Sequence, residues 1–335
     1  MTPRPLRLAS WNVEWFNALF DDNGRPLEDG APAQRHGISR GDQLAAIAIV
    51  MTAMQADGIM IIEAPDTNSK RNSVRALERF ARRYDLPTSR AVTGFKSETE
   101  QEISFLYNPD RLTVRHDPRG DPRFDGTFHY DLNDDGQPEP IRPSKPPLEL
   151  AVGFRGHALR LIGVHVKSKA PHGARNAVEA KRIAIENRRK QLAECLWLRV
   201  RVEEHLAAGD DLVVLGDFND GPGLDEFERL FGHSGVEVVM GVGCPPERQL
   251  FDRHADMALK SRLQPTSARF WNPEESRYFE ALLDFIMLSP ALMQRQPRWR
   301  IWHPLNDPKC WDVPELRDAL LAASDHFPVT VDIAL

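Results

Sequence analysis

The sequence has few cysteines, with Cys195, Cys244 and Cys310 as the three among 335 residues. Their odd number and wide spacing suit neither a disulfide framework nor a zinc cluster, so we expect reduced thiols without a chemical role. No apolar run approaches the roughly 18 residues of a membrane-spanning helix, and the N-terminal segment lacks the apolar stretch of a signal peptide. We therefore expect a cytoplasmic protein with no membrane span.

The sequence also lacks an excess of positive charge. Lys and Arg total 43 against 49 Asp and Glu, which gives a net charge of -6. The net charge therefore does not indicate nucleic-acid binding. Binding of a polyanion would have to come from a local basic patch or a bound cation. The hydrophobic fraction of 41% and the charged fraction of 27% are typical of a soluble globular protein and exclude wholesale disorder.

Neither an internal repeat nor a linker rich in Pro, Gly and Ser divides the chain, so we predict a single domain over residues 1–335. Short apolar or alternating runs predict strands that begin at Leu6, Gly58, Ile103, Leu148, Leu159, Leu212, Leu282 and Val329. Helical patterns cover Gly41 to Met54, Asn72 to Tyr84, Arg175 to about Leu206, and Leu224 to Leu230. Strict βαβ alternation is missing, so we predict an α+β sandwich of mainly antiparallel strands with helices outside.

Acids, amides and histidines concentrate at the ends of the predicted strands: Asn12, Glu63, His165, Asp217, Asn219, Asp284, Asp325 and His326. The strand ends of one sandwich can converge on a single cleft. Carboxylate, amide and imidazole groups gathered there are what a hard divalent cation and a phosphate ester require. Mg²⁺ takes oxygen ligands, and one or two carboxylates plus a substrate phosphate typically hold it.

Each of these residues also has a structural alternative. Asn12 fits a turn, the DFND segment at Asp217 fits an Asx turn, and His326 fits a loop cap. Glu63 and Asp284 stand in apolar surroundings, where an unpaired carboxylate is costly to bury. The conjunction of so many sites in one chain favours a common function.

Six segments carry these residues in a fixed order: ASWNVEWF at Ala9, the strand end at Glu63, GVHVKSK at Gly163, LGDFND at Leu215, ALLDFIML at Ala281 and SDHFPV at Ser324. In this combination, residues 6 to 334 resemble the endonuclease/exonuclease/phosphatase superfamily. That superfamily includes pancreatic-type DNases, abasic-site endonucleases, inositol polyphosphate phosphatases and neutral sphingomyelinases. The resemblance implies a four-layered α/β/β/α sandwich of two mainly antiparallel sheets with outer helices, and metal-dependent cleavage of phosphate esters.

The resemblance further implies a role for each residue at the metal and the attacking water. Glu63 would be the main metal ligand, with Asn12 beside it and Asp325 close to the ion. Asp217 would orient or deprotonate the attacking water, and Asn219 would hold that water or a phosphate oxygen. The expected ion is Mg²⁺, with Mn²⁺ as a substitute.

The same resemblance implies two histidine donors. His326, paired to Asp284, would donate to the scissile phosphate as its charge builds, and His165 would be a second donor near the leaving group. An acidic partner is expected for His165, and Glu100 and Glu102 are both candidates.

Three further patterns bear on binding. Lys167 and Lys169 follow His165 and are candidates for contacts to substrate phosphate. The segment from Arg295 to His303 interleaves Arg with Trp, which fits either base stacking or an edge strand. The long predicted helix carries several arginines, and their simplest interpretation is a solvated helix face: Arg182, Arg188 and Arg189.

A possible structural Ca²⁺ site is the DLNDDG segment, which would supply oxygens from Asp131, Asn133 and Asp135. Arg142 stands where an EF-hand needs Glu, so a solvated turn is the alternative.

The leading functional prediction is a monomeric Mg²⁺-dependent phosphodiesterase that acts on DNA or RNA. One alternative is a phosphatase or phospholipase C-like hydrolase of an inositol phosphate or a sphingomyelin-type lipid. The sequence shows no obvious exposed aromatic hairpin or amphipathic helix for membrane docking, which disfavours the lipid. A catalytically inactive binding protein on the same scaffold is the third alternative, and the retained metal, water and phosphate residues argue against it.

Overall fold

Two β-sheets form the framework of the molecule. The computed structural model describes residues 4–97, 99, 101–131, 136–171, 173–223, 232, 234–261, 264–272 and 276–335. In this part of the chain the strands are β1 (Leu6–Asn12), β2 (Gly58–Pro65), β3 (Arg90–Thr93), β4 (Gln101–Tyr107), β5 (Thr113–His116), β6 (Phe128–Tyr130), β7 (Glu139–Ile141), β8 (Leu148–Phe154), β9 (His157–His165), β10 (Leu212–Asp217), β11 (Ala268–Asn272), β12 (Arg277–Ala281), β13 (Asp284–Leu288), β14 (Arg298–Ile301) and β15 (Val329–Ile333).

The helices in the same part of the chain are α1 (Arg40–Met54), α2 (Ser73–Arg83), α3 (Ala177–Ala207), α4 (Gly235–Met240), α5 (Arg253–Lys260), α6 (Pro290–Met293), α7 (Pro308–Trp311) and α8 (Pro314–Ala323). Two short 3-10 turns lie at Phe16–Leu19 and Pro246–Arg248. The helix predicted over Leu224 to Leu230 lies outside the described residues. None of the helices in the described ranges combines the length and apolar character needed to cross a membrane.

The sheets are mixed, with antiparallel pairing dominant. The first sheet has the strand order β14-β15-β1-β2-β4-β3, and the second has the order β13-β10-β9-β8-β5. Parallel pairing occurs between β1 and β2 and between β9 and β10, and the other pairs of these two sheets are antiparallel. The parallel pairs bring the carboxyl ends of four strands to one edge of the sandwich.

The four layers follow from the alternation of side chains along the strands. In β1, Leu6 and Leu8 face the other sheet and join the apolar layer between the sheets. Ala9 and Trp11 face the opposite way and pack among residues of α1, α2 and α8. Helix α3 covers the outer face of the second sheet. This arrangement confirms the predicted α/β/β/α sandwich.

One detail differs from the sequence prediction, and the structure bears on two others that the sequence left open. Arg188 on α3 is 2% exposed and bonds to Asp220, so the prediction of a solvated Arg face was wrong at this position. The segment after Arg295 forms the edge strand β14, and Trp302 just beyond it is buried. Of the possible Ca²⁺ ligands, Asp131 accepts a hydrogen bond from the backbone N–H of Gly136, while Asn133 and Asp135 lie outside the described residues.

Candidate active site

A cavity of about 1210 Å³ opens where the carboxyl ends of the parallel strands meet. Nine of the residues predicted for the site line it: Asn12, Glu63, His165, Lys167, Lys169, Asp217, Asn219, Asp325 and His326. Asp284, fully buried, lies directly behind His326. The structure therefore brings all ten predicted site residues together.

Cross-strand pairing sets the centre of this site. Asp217 ends β10, where it is paired with His165 of β9 on one side and with Asp284 of β13 on the other. Residues that are directly opposite on neighbouring strands lie about 5 Å apart, so one backbone register fixes the spacing of all three side chains.

A β-bulge aims Glu63 into the cavity. Ile62 pairs with Ile103 and Ala64 pairs with Glu102, which leaves Glu63 as the extra residue of β2. Its φ of 64° is in the left-handed region, which is strained for a residue with a side chain. The Glu63 carboxylate accepts a hydrogen bond from the backbone N–H of Trp15 at 3.0 Å. Burial raises the pKa of Glu63, although nearby cations oppose the shift.

Asp217 is a buried carboxylate held by three N–H donors from two asparagines. Its Oδ1 accepts from the backbone N–H of Asn219 at 2.7 Å. Its Oδ2 accepts from the side-chain amide of Asn12 at 3.0 Å and from that of Asn219 at 3.2 Å. Burial, the largest cause, raises the pKa of Asp217 to about 6, and Asp284 adds to the rise while His326 opposes it. Such a carboxylate can take a proton near neutral pH.

His326 and Asp284 form a buried pair. Nδ1 of His326 donates to Oδ2 of Asp284 at 2.8 Å, and the hydroxyl of Ser267 donates to the same oxygen at 2.8 Å. Burial lowers the pKa of His326, but Asp284 and Asp217 outweigh it and hold this pKa well above its usual value. The imidazole is therefore protonated at neutral pH and can donate from its second nitrogen.

His165 differs from His326 in its surroundings. Its Nε2 lies 3.6 Å from Oδ2 of Asp217 and 3.4 Å from the ammonium nitrogen of Lys145, and its Nδ1 is buried without a partner in the described residues. Burial and the neighbouring cations hold the pKa of His165 well below its usual value. His165 is therefore neutral at pH 7, with one N–H to donate.

The expected acidic partner of His165 is not Glu102. The Glu102 carboxylate accepts from the backbone N–H of Ser97 instead. Glu100 lies outside the described residues. The carboxylate next to His165 is Asp217, because the parallel pairing of β9 and β10 places these two residues opposite each other.

Lys145 is a site residue that sequence reasoning missed. Its side chain lines the cavity beside Lys167, and its pKa is lowered by burial against the opposing effects of Glu63, Asp217 and Glu194. The available signal was a lysine held among prolines, in RPSKPP, immediately before β8. By contrast, Lys169 forms an ion pair with Asp220 at 3.0 Å.

Two sets of side chains could hold a cation. Asp217, Asp284 and His326 place one ligand atom each within 4.8 Å of one another. His326 and Asp284 are already hydrogen-bonded to each other in this set.

The other set is Asn12, Glu63 and Asp325, which fits a divalent ion. Oδ1 of Asn12 is buried without a hydrogen-bond partner in the described residues. Burial raises the pKa of Asp325 to about 7, and Glu63 is among the carboxylates that raise it further. A bound cation would satisfy the amide oxygen and neutralise the mutual repulsion of the two acids.

An aromatic hairpin forms one wall of the cavity. In β11 and β12, Phe270 pairs with Phe279 on the face that lines the cavity, and Trp271 pairs with Tyr278 on the other face. Phe279, Trp271 and Tyr278 are each at least half exposed, at 58%, 53% and 50%. The prediction that the chain has no obvious exposed aromatic hairpin was therefore wrong. Each aromatic pair is only two residues long and is flanked by Arg and by Asn or Glu, so neither segment stands out as an apolar run.

The sequence matches the Endonuclease/Exonuclease/phosphatase family over residues 9–326. The chain belongs to this family. Family membership makes it a hydrolase of phosphoric esters. No curated protein matches the sequence significantly.

Solved structures share the fold at low sequence identity. Truncated TDP2 from Caenorhabditis elegans is 14% identical, with 98% of this chain and 97% of that chain covered and a TM-score of 0.53. A family protein from Bacteroides thetaiotaomicron is 15% identical, with 99% and 98% covered and a TM-score of 0.51. TDP2 from D. rerio, complexed with a single-strand DNA product, is 13% identical, with 97% of each chain covered and a TM-score of 0.50.

Proposed function

We propose that this family member is a Mg²⁺-dependent phosphodiesterase that cleaves DNA or RNA with an activated water. The observation that carries the proposal is the convergence of a proton-accepting carboxylate and a protonated imidazole in one open cavity. Asp217 has a pKa raised to about 6, and His326 is held in its charged form by Asp284. A base for the water and a donor for the phosphate are the two groups that phosphodiester hydrolysis requires.

Asp217 takes the proton of the attacking water, and Asn219, bonded to both carboxylate oxygens, fixes the direction from which the water is held. His326 donates to a phosphate oxygen as charge builds there. His165 donates its N–H on the leaving-group side. Asn12, Glu63 and Asp325 would hold the ion, and Mg²⁺ when bound supplies positive charge that polarises the phosphate.

The aromatic wall supports nucleic acid as the substrate. Base stacking on an aromatic side chain contributes roughly 1 to 3 kcal/mol and is tolerant of sequence. Phe279 is exposed and lines the same cavity as Lys145 and Lys167, so one substrate can contact a ring with its base and the lysines with its phosphates. The fold likeness to TDP2 complexed with single-strand DNA is consistent with this substrate class.

A lipid phosphodiester is the second candidate, because three exposed aromatic side chains on one hairpin would also suit a membrane interface. Cosedimentation with vesicles of neutral phospholipid and sphingomyelin distinguishes the two substrates. Vesicle binding that is lost in Trp271→Ala, without binding to oligonucleotides, would replace nucleic acid by lipid.

The test of the function is turnover of single-stranded DNA, duplex DNA and RNA in the presence of EDTA, Mg²⁺ or Mn²⁺. We expect no cleavage in EDTA and full recovery with Mg²⁺. Glu63→Gln should raise the Mg²⁺ concentration for half-maximal activity at least roughly tenfold, because it removes a ligand charge. Glu186→Gln, at an exposed ion pair with Arg182 on α3, is the matched control. Equal activity of Glu63→Gln at limiting Mg²⁺ would reject the metal assignment.

The single-domain organisation, the monomeric state and the cytoplasmic location remain predictions from the sequence.

A further inference from the structure

Glu194 of α3 stands behind the lysines of the cavity and joins two segments that are distant in sequence. Its Oε1 accepts from the backbone N–H of Ser144 at 3.3 Å, and its Oε2 accepts from the backbone N–H of Lys167 at 2.8 Å. Ser144 precedes Lys145 at the entrance to β8, whereas Lys167 follows the end of β9. One carboxylate therefore holds both lysine-bearing segments at once.

The surrounding charges match this arrangement. Burial raises the pKa of Glu194 to about 7, and Lys145 and Lys167 oppose the rise. In return, Glu194 is one of three carboxylates that support the charged form of Lys145 against burial. A small second cavity lined by Glu194, Lys145 and His165 shows that the three side chains are neighbours.

The chemistry of the two contacts requires a carboxylate. Two backbone N–H groups from different segments need two acceptor oxygens, and an ionised carboxyl group offers both. Gln offers one acceptor oxygen and would present an NH₂ to the second N–H, so the replacement breaks at least one of the two connections.

We propose that Glu194 is a positioning residue for substrate phosphate: it holds Ser144 and Lys167 so that the Lys145 ammonium stands beside His165 in the cavity. The inference deepens the proposed function, on which it rests, because it names the side chain that sets the Lys145 contact of the same site. Glu194 itself does not line the main cavity, so it acts through Lys145, with the backbone of Lys167 as its second anchor.

The test is a cycle of Glu194→Gln, Lys145→Ala and the double variant, each made in an Asp217→Asn background that prevents cleavage. Binding of a single-stranded oligonucleotide is measured across a salt series. Each lost phosphate contact should lower the slope of log affinity against log salt by about 0.7 on single strands. We expect about this loss for each single variant and no further loss in the double variant. Glu186→Gln on the same helix is the control and should keep the slope of its parent.

An unchanged slope in Glu194→Gln, or losses of slope that add in the double variant, would overturn the proposal.

Inorganic phosphate is the second probe, and its binding is measured by calorimetry on the same proteins. If the parent binds phosphate but no oligonucleotide, the nucleic-acid assignment fails while the phosphate affinities still decide the role of Glu194. We expect the phosphate affinity to fall in both Glu194→Gln and Lys145→Ala, and the two losses of affinity should not multiply in the double variant. Full phosphate affinity in Glu194→Gln would reject the positioning role of Glu194. Should Glu194→Gln fail to fold, the cycle is run with Glu194→Asp, for which losses that multiply with those of Lys145→Ala would reject it.

Discussion

Glu149 and Asp284 are both acids in apolar strands of the five-stranded sheet, and both are almost completely buried, at 1% and 0% exposure. Their surroundings differ. Each oxygen of Glu149 has its own donor: Arg201 at 2.6 Å and the backbone N–H of Arg119 at 3.1 Å. Oδ2 of Asp284 accepts from two groups, while its Oδ1 is without a partner in the described residues.

The regions around the two acids differ in their relation to the cavity. Near Glu149, the guanidinium of Arg201 also donates to Glu204 and to the backbone oxygen of Pro122. Nε2 of His205, 3.9 Å from Glu149, lacks a hydrogen-bond partner in the described residues, but His205 does not line the cavity. Around Asp284, the unpartnered buried atoms belong to Asn12 and His165, which do line it. Native proteins leave few buried polar groups unsatisfied, so unpartnered atoms beside a cavity indicate a place for a ligand.

The largest expected effect is on turnover, from Asp217→Asn. The amide cannot accept the proton of the attacking water, so kcat should fall by at least roughly 10³-fold. The melting temperature should be equal or higher, because a buried carboxylate is replaced by a neutral group. Activity assays and thermal melts on the same preparation check this. Retained turnover, or loss of activity only in step with loss of fold, would place Asp217 among the structural acids.

The reciprocal change is Glu149→Gln. Removing the buried partner leaves Arg201 with the more exposed Glu204 as its ion-pair partner, which costs up to about 3 to 5 kcal/mol of unfolding free energy. Urea unfolding measures the loss, and the activity of the folded fraction should equal that of the wild type. Reduced activity in fully folded Glu149→Gln would contradict the division between the two regions.

Asp284 and His326 should behave as one unit. His326→Ala removes the donor, with an expected loss of roughly 10² to 10³-fold in kcat. Because Asp284 acts by keeping His326 charged and oriented, Asp284→Asn should add little to that loss in the double variant. Kinetics of the two single variants and the double variant measure the coupling. Losses that multiply would show two independent roles.

The smallest effect concerns stability against pH. The folded pKa of Asp217, about 6, exceeds the ordinary 3.8, so the folded state keeps a proton that the unfolded chain has lost. The unfolding free energy therefore decreases as pH rises from about 4 to 6, by up to about 3 kcal/mol from this group. In metal-free buffer, Asp217→Asn should lack this part of the decrease, whereas Asp318→Asn, at a mostly exposed side chain, should retain it. If the curves of unfolding free energy against pH run parallel for the wild type and Asp217→Asn, the raised pKa of Asp217 is refuted.

The sequence predicted the layers and the position of each acid because strand ends and spacing are local properties. It could not distinguish Glu149 from Asp284, since LELAV and LLDFI present the same pattern of an acid among apolar residues. Arg188 was misassigned for a related reason. Its burial depends on Asp220, which lies 32 positions away in the sequence.

Glu63 and Lys145 show the other limits. The bulge that turns Glu63 into the cavity is a register shift between β2 and β4, and no single-strand pattern reports it. Lys145 precedes its strand and reaches the site only because α3 and the end of β9 fold against that segment. Positions fixed by pairing between distant segments are those that sequence patterns do not reveal.

The hydrogen bond between the indole N–H of Trp11 and the backbone oxygen of His326, at 3.0 Å, spans 315 positions of sequence. Beside it, the hydroxyl of Ser324 donates to the backbone oxygen of Asn12 at 2.8 Å. Because β15 is the last of the described strands, β1 cannot pair with it on the ribosome until all the other described strands have been synthesised. A nascent chain that stops short of residue 326 has no imidazole to pair with Asp284. We therefore expect hydrolytic activity to be acquired only late in translation.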